Sequence, residues 1–301
     1  MMLNPIFESS ARRRMRTIKT PIILTLYWVS MLIFSLSMLT DFMGQGLQVY
    51  MFRRSTEWII WATALQFFLI VLVAPALSAC SIAGERERQT FDLLLITGIG
   101  VPRIILGKLM EHFAFLLLLI VGSFPIMMLA NVTGGMPVSD ILMIMLFLAI
   151  IAFAALSVGI VVSTLFKRSL SAIVVTYLAV FAIGIGTWGL AKHGMLAAAY
   201  SYEMLCELET ASPATVLASI PKTIFLNPAV MLVMLLAGKT GILHRTMEDT
   251  MRLMDIYTVS SYVGFSPVAK VGILSIFAAS VFLIVLAIIL LYVQTNGRKK
   301  H

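Results

Sequence analysis

Over most of this chain the apolar residues neither alternate nor recur once per helical turn; they run on in stretches separated by short polar breaks. Six stretches reach the roughly 20 residues that a helix needs to cross a hydrocarbon core of about 30 Å. They are 20–39, 58–83, 109–130, 141–166, 170–191 and 271–293. A helix is expected in each, because one helix satisfies all its own backbone donors and acceptors away from water. Only the third stretch holds ionisable groups, Glu111 and His112, at its first turn. The first is full length and runs into Asp41 without a small-residue cleavage site, which makes it a retained anchor and not a signal peptide. A further apolar run, 213–238, is interrupted by Pro221, Lys222, Asn227 and Pro228. It reads as a re-entrant or surface-lying element, broken at Asn227 and Pro228.

Two other segments carry helical periodicity. Leu3, Phe7, Ala11, Met15 and Ile18 recur every three or four residues, while Arg12, Arg13, Arg14, Arg16 and Lys19 take other angles. This pattern describes an amphipathic interfacial helix over 1–19, with Asn4 as N-cap and Pro5 as first helical residue. Within 84–108, Glu85, Arg88 and Asp92 are spaced for pairing, and Glu87, Phe91, Leu94 and Leu95 lie close together around the same helix. Gly98, Gly100 and Pro102 are expected to stop it. Such a helix either rests on lipid headgroups or docks on a protein; paired acids are unhelpful beside an anionic leaflet, which favours the protein.

Composition sharpens this picture. With 60% hydrophobic and 12% charged residues and a mean hydropathy of +1.00, the chain is expected to be an all-α polytopic membrane protein, one transmembrane domain over 1–301. That excludes soluble enzymes, nucleic-acid modules and secreted disulfide scaffolds. The formal net charge of +8 therefore reports orientation, since loops on the cytoplasmic side carry the excess of Lys and Arg. Of the 22 basic residues, Arg12, Arg13, Arg14, Arg16, Lys19, Arg86, Arg88, Arg103, Lys108, Lys167, Arg168, Arg298, Lys299 and Lys300 fall on one side of a six-span topology. Both termini and the 84–108 loop are accordingly placed in the cytoplasm. The segment 192–270, with Glu203, Glu207, Glu209, Glu248, Asp249 and Asp255, becomes an extracytoplasmic cap. A seventh crossing through 213–238 would carry the basic tail to the wrong side.

Catalytic chemistry is missing from the pattern. Gly238-Lys239-Thr240 lacks the first glycine of a phosphate-binding loop, since Val233 stands there, and Gly98-x-Gly100 follows no strand. Cys80, Cys206 and the four histidines form no ligand cluster, so no catalytic residue, metal or cofactor is assigned to the chain. No acid stands at mid-membrane depth to couple an ion gradient. Uphill transport would draw its energy from another subunit. Ala155, Gly159 and Ser163, four residues apart, form a helix-packing face, and Pro75 and Pro125 are kink positions.

The run Glu85-Arg86-Glu87-Arg88-Gln89-Thr90-Phe91-Asp92-Leu93-Leu94-Leu95, then Thr97 and on to Gly107-Lys108, resembles the signature after the second span of ABC type-2 permeases. Asn4-Pro5, the basic stretch through Arg16 and the late Leu226-Asn227-Pro228 are similar to members of that family. Gln89 stands where glycine is common, and Gly98 where proline is common. The resemblance implies a six-span permease subunit of an exporter in the cell membrane. It would pair with a second six-span chain, identical or homologous, and with two cytoplasmic ATP-binding subunits that carry ATP and magnesium. It also implies that Glu85, Arg86, Glu87, Arg88, Thr90, Phe91, Asp92 and Leu94 form a coupling helix seated in the ATPase, and that Asn227 and Pro228 lie at an external gate or cap. The competing reading is a non-transporting membrane scaffold or sensor whose cytoplasmic loop recruits a partner.

Overall fold

The computed structural model describes residues 18–43, 48–96, 99–132, 137–207, 226–240 and 265–298. The 1–19 amphipathic helix, apart from its last residues, and most of 192–270 lie outside the described residues. Among those described there is no strand. The helices are α1 (Lys19–Met43), α2 (Gln48–Glu87), α3 (Phe91–Ile96), α4 (Val101–Gly122), α5 (Phe124–Val132), α6 (Val138–Leu165), α7 (Ser169–Glu207), α8 (Pro228–Thr240) and α9 (Phe265–Arg298).

Five stretches are long and apolar enough to cross a membrane: Trp58–Glu87 in α2, Val101–Met128 through α4 into α5, Val138–Leu165 in α6, Ser169–Gly189 in α7 and Val271–Asn296 in α9. In α1 the described apolar run is shorter, Pro21–Ser37. The core forms around α6, the most uniformly apolar helix, which packs against α2, α4, α5, α7, α8 and α9. Phe147, Leu148, Ala152, Leu156 and Ile160 of α6 are buried. Edge-to-face contact of Phe113 with Phe153 at 5.4 Å, and stacking of Phe153 on Phe277 at 5.9 Å, join α4, α6 and α9. In lipid the apolar face of a helix gains nothing by leaving hydrocarbon, so close van der Waals fit and interhelical hydrogen bonds must hold the bundle. Exposure is uneven: 61% of the apolar window of α6 is buried but only 11% of that of α7.

Several boundaries differ from the sequence expectation, each for a local reason. The stretch 58–83 is part of a 40-residue helix, about 60 Å long at 1.5 Å per residue, so helical backbone extends past both apolar limits. Pro102 does not stop the helix before it. It stands in the first turn of α4, where a missing N–H costs nothing, and Gly100 is the N-cap in extended backbone. The third stretch thus begins eight residues earlier than 109, and Glu111 and His112 sit buried in its third turn instead of its first. It is also interrupted at Ser123, just ahead of Pro125, which cannot donate to the ladder. Gln66 Nε2 donates to Ser123 Oγ at 2.6 Å across that break. Helix α7 continues to Glu207, so the 192–270 segment opens as a helical extension of the fifth stretch.

Candidate functional site

The last turn of α2 places the charged signature. Thr90 N–H donates to the Glu85 carbonyl at 2.9 Å and Gln89 N–H to the Arg86 carbonyl at 3.1 Å. This pair of bonds is a Schellman cap, which requires a left-handed residue at its turn. That residue is Gln89, with φ 57. A β-carbon is strained there, which explains why a glycine is the natural occupant of the position. The chain reverses at this point, and the expected single helix is two: the end of α2 and the six-residue α3.

Three consecutive residues on that turn reach three different directions. Glu85 Oε1 pairs with Lys108 Nζ of α4 at 2.7 Å. Arg86 Nη1 donates to the Thr164 carbonyl in the last turn of α6 at 2.7 Å, and its Nη2 donates to Gln294 Oε1 of α9 at 2.6 Å. The Arg86 guanidinium also lies over the Phe91 ring of α3, 5.3 Å from its centroid. Glu87 Oε2 accepts from the backbone N–H of Ser169 at 2.9 Å and from its hydroxyl. The carboxylate therefore caps the start of α7, where unpaired N–H groups and the helix dipole favour an anion. Arg86 performs the converse at the end of α6, where a cation meets an otherwise unpaired carbonyl.

The side chains of Glu85, Arg86 and Glu87 are thus engaged within the bundle. Phe91 is turned inward too, only 3% exposed, which corrects its place on a displayed apolar face. Arg88 and Thr90 are exposed; Thr90 Oγ1 donates to the Glu85 carbonyl at 3.2 Å. The side chains of Asp92 and Leu94 lie outside the described residues. The apolar groups that do face outward are Leu93, 64% exposed, and Ile96, 81% exposed. The sequence pattern grouped Phe91 with Leu94 and Leu95, and the inward turn of Phe91 that leaves Leu93 and Ile96 facing outward was not legible in it.

At the opposite pole, Asn227 is buried and caps α8. Its Oδ1 accepts from the N–H groups of Ala229 and Val230 at 3.0 and 3.2 Å, while Pro228 is the first helical residue. Asn227 Nδ2 donates to the Gly184 carbonyl and to Thr187 Oγ1 of α7, each at 3.0 Å. Helix α8 buries Val230, Met231, Leu232, Leu235 and Leu236 in the main core, so it is built into the bundle and not laid on its surface. Gly272 of α9 lets it approach, because a β-carbon there would overlap Met231 Sδ.

Between the poles, Gly159 and Ser163 line the contact of α6 with α2, and Ala155, one turn before Gly159, is buried. A β-carbon at Gly159 would collide with Ser78 Oγ, and Ser163 Oγ accepts from the N–H groups of Ile82 and Ala83, each at 2.9 Å. Among the described residues no group of three or more His, Cys, Asp or Glu could hold a metal ion. Three participants, Ser169, Gln294 and Thr164, escaped the sequence reading, as did the pairing of Lys108 with Glu85. Lys108 and Ser169 were visible as a charge and a helix-start residue, whereas Gln294 is a lone amide and Thr164 contributes a backbone carbonyl that no residue type announces.

The bundle, its apolar helices and the charged turn after α2 define a multi-pass membrane protein. The profile of the family described as ABC-2 family transporter protein matches residues 5–295. The chain belongs to this family, whose members are transmembrane permease components of ABC transporters and generally work with a cytoplasmic ABC ATPase. No curated protein matches the chain.

Proposed function

We propose that this chain is the permease subunit of an ATP-driven exporter, with α1 completing six spans and both termini in the cytoplasm. Two copies of a separate ATPase would supply ATP hydrolysis, and a second six-span chain would complete the pathway. Leu93, Ile96 and Arg88 form the ATPase-docking face, and the two halves rearrange as the ATPases close and open. One observation carries the reading. A short helix exposes apolar side chains next to the turn that carries the exposed Arg88, while its base is anchored by Phe91 under Arg86. An exposed apolar pair on a rigid base is suited to a protein partner.

The test is purification of the tagged chain from its native membrane, with mass spectrometry of what accompanies it. A P-loop ATPase is expected, and L93D combined with I96D should reduce its recovery by about tenfold or more, the scale of losing a central anchor, with insertion and elution unchanged. Full retention of the ATPase by the double variant would remove α3 from the interface. Recovery of no ATPase with the unaltered chain would leave the scaffold reading in its place.

A further inference from the structure

The Arg86 side chain touches the docking helix and two bundle helices together. Its ring-facing side lies over Phe91 of α3, one nitrogen binds the end of α6 at Thr164, and the other binds α9 at Gln294. Phe91 and Thr164 are buried and Gln294 is half-buried, so none of the three contacts is a loose surface pairing. A planar guanidinium can hold two acceptors on different helices at once while stacking on a ring; an ammonium is a point charge without that fork.

From this geometry we propose that Arg86 is a positioning residue that transmits displacement of α3 to α6 and α9. The inference rests on the docking reading above and deepens it by naming the joint through which docking reaches the helices. Glu85 and Glu87 serve separate directions, α4 through Lys108 and α7 through Ser169. They hold the turn of α2 in place while Arg86 links it to α9. The α6 contact is to a backbone carbonyl, so only the α9 contact can be removed by a side-chain change on the receiving helix. That makes the α9 arm separately testable.

The experiment uses the whole complex of this chain with its ATPase in nanodiscs, with Cys80 and Cys206 replaced by serine. Spin labels are placed at the exposed positions Arg103 of α4 and Asn296 of α9. The distance between them is measured without nucleotide and after trapping with ATP and vanadate. The unaltered joint is expected to give a shift on trapping. Gln294→Leu, which lies outside the docking helix, is expected to keep the bound ATPase and the resting distance but lose the shift; Arg86→Gln should lose it as well. Arg86→Lys should restore it only in part. A purely structural role would alter the resting distance or the yield, not the nucleotide-dependent change alone. An undiminished shift in Arg86→Gln, or no shift with the joint intact, overturns the proposal. Should Arg86→Gln fail to insert, an undiminished shift in Gln294→Leu overturns it instead. Absence of any ATPase with the unaltered chain is the distinct failure of the docking reading itself.

Discussion

The two poles of the bundle fix helix ends by different means. At the end of α2, three charged residues caught by α4, α6, α7 and α9 hold the helices together. At the start of α8, one neutral amide does comparable work: Asn227 caps its own helix and joins it to α7, with apolar residues of α8 buried behind it. The difference is one of surroundings. Asn227 is buried, where an uncompensated charge would be expensive, and a neutral amide is satisfied there by four hydrogen bonds. Glu87 is exposed, and Glu85 and Lys108 are only partly shielded, so water supports their charges and salt can weaken their pairing. The charged pole is therefore the adjustable one and the neutral pole the fixed one.

Asn227→Ala should produce the largest loss. It removes an N-cap of about 1 kcal/mol and two interhelical bonds of about 1 kcal/mol each, so destabilisation of about 2–3 kcal/mol is expected. It should read as a lower apparent unfolding temperature in detergent that is unaffected by salt. A strong salt dependence of this variant would break the contrast between the poles. Gln89→Gly should act in the opposite sense, stabilising by about 1 kcal/mol because glycine meets the left-handed φ without a β-carbon. A fall in unfolding temperature would show that the Gln89 side chain contributes something the cap geometry does not.

Lys108→Ala should cost about 0.5–1 kcal/mol at low salt. The deficit should shrink when ionic strength is raised to about 0.5 M, where the Debye length falls below about 5 Å. An unchanged deficit would mean that the lysine stem packs more than its charge pairs. Ser169→Ala is expected to have the smallest effect of the four. It deletes the hydroxyl donor to Glu87 but leaves the backbone N–H in place, and amide exchange in the first turn of α7 should detect it before any global measurement does.

The length and apolarity of the helices were legible in the sequence because a bilayer leaves the backbone almost no alternative to helix. Asn227 and Pro228 were legible as a break, since an N-cap residue followed by proline announces a helix start. The charged turn was legible as a place where something happens, but not in its inner arrangement. Glu87 and Phe91 look outward in a continuous helix; once Gln89 reverses the chain, Phe91 goes under Arg86 and Glu87 meets Ser169. The break at Ser123 and the early start of α4 at Val101 were likewise hidden, because a proline shows that a helix is disturbed without saying on which side.

What the sequence by itself determined is the kind of molecule: uninterrupted apolar stretches, a basic excess in particular loops, and the signature after the second span. These are properties of local composition and of chain entry into a bilayer, and they need no knowledge of which helices touch. What only the tertiary structure decided is the joint. Arg86 meets a carbonyl at Thr164 and an amide at Gln294, which lie 78 and 208 residues away. Contacts at such separation depend on how α2, α6 and α9 pack side by side, and that follows from close approach at Gly159 and from the burial of α6, not from any spacing along the chain.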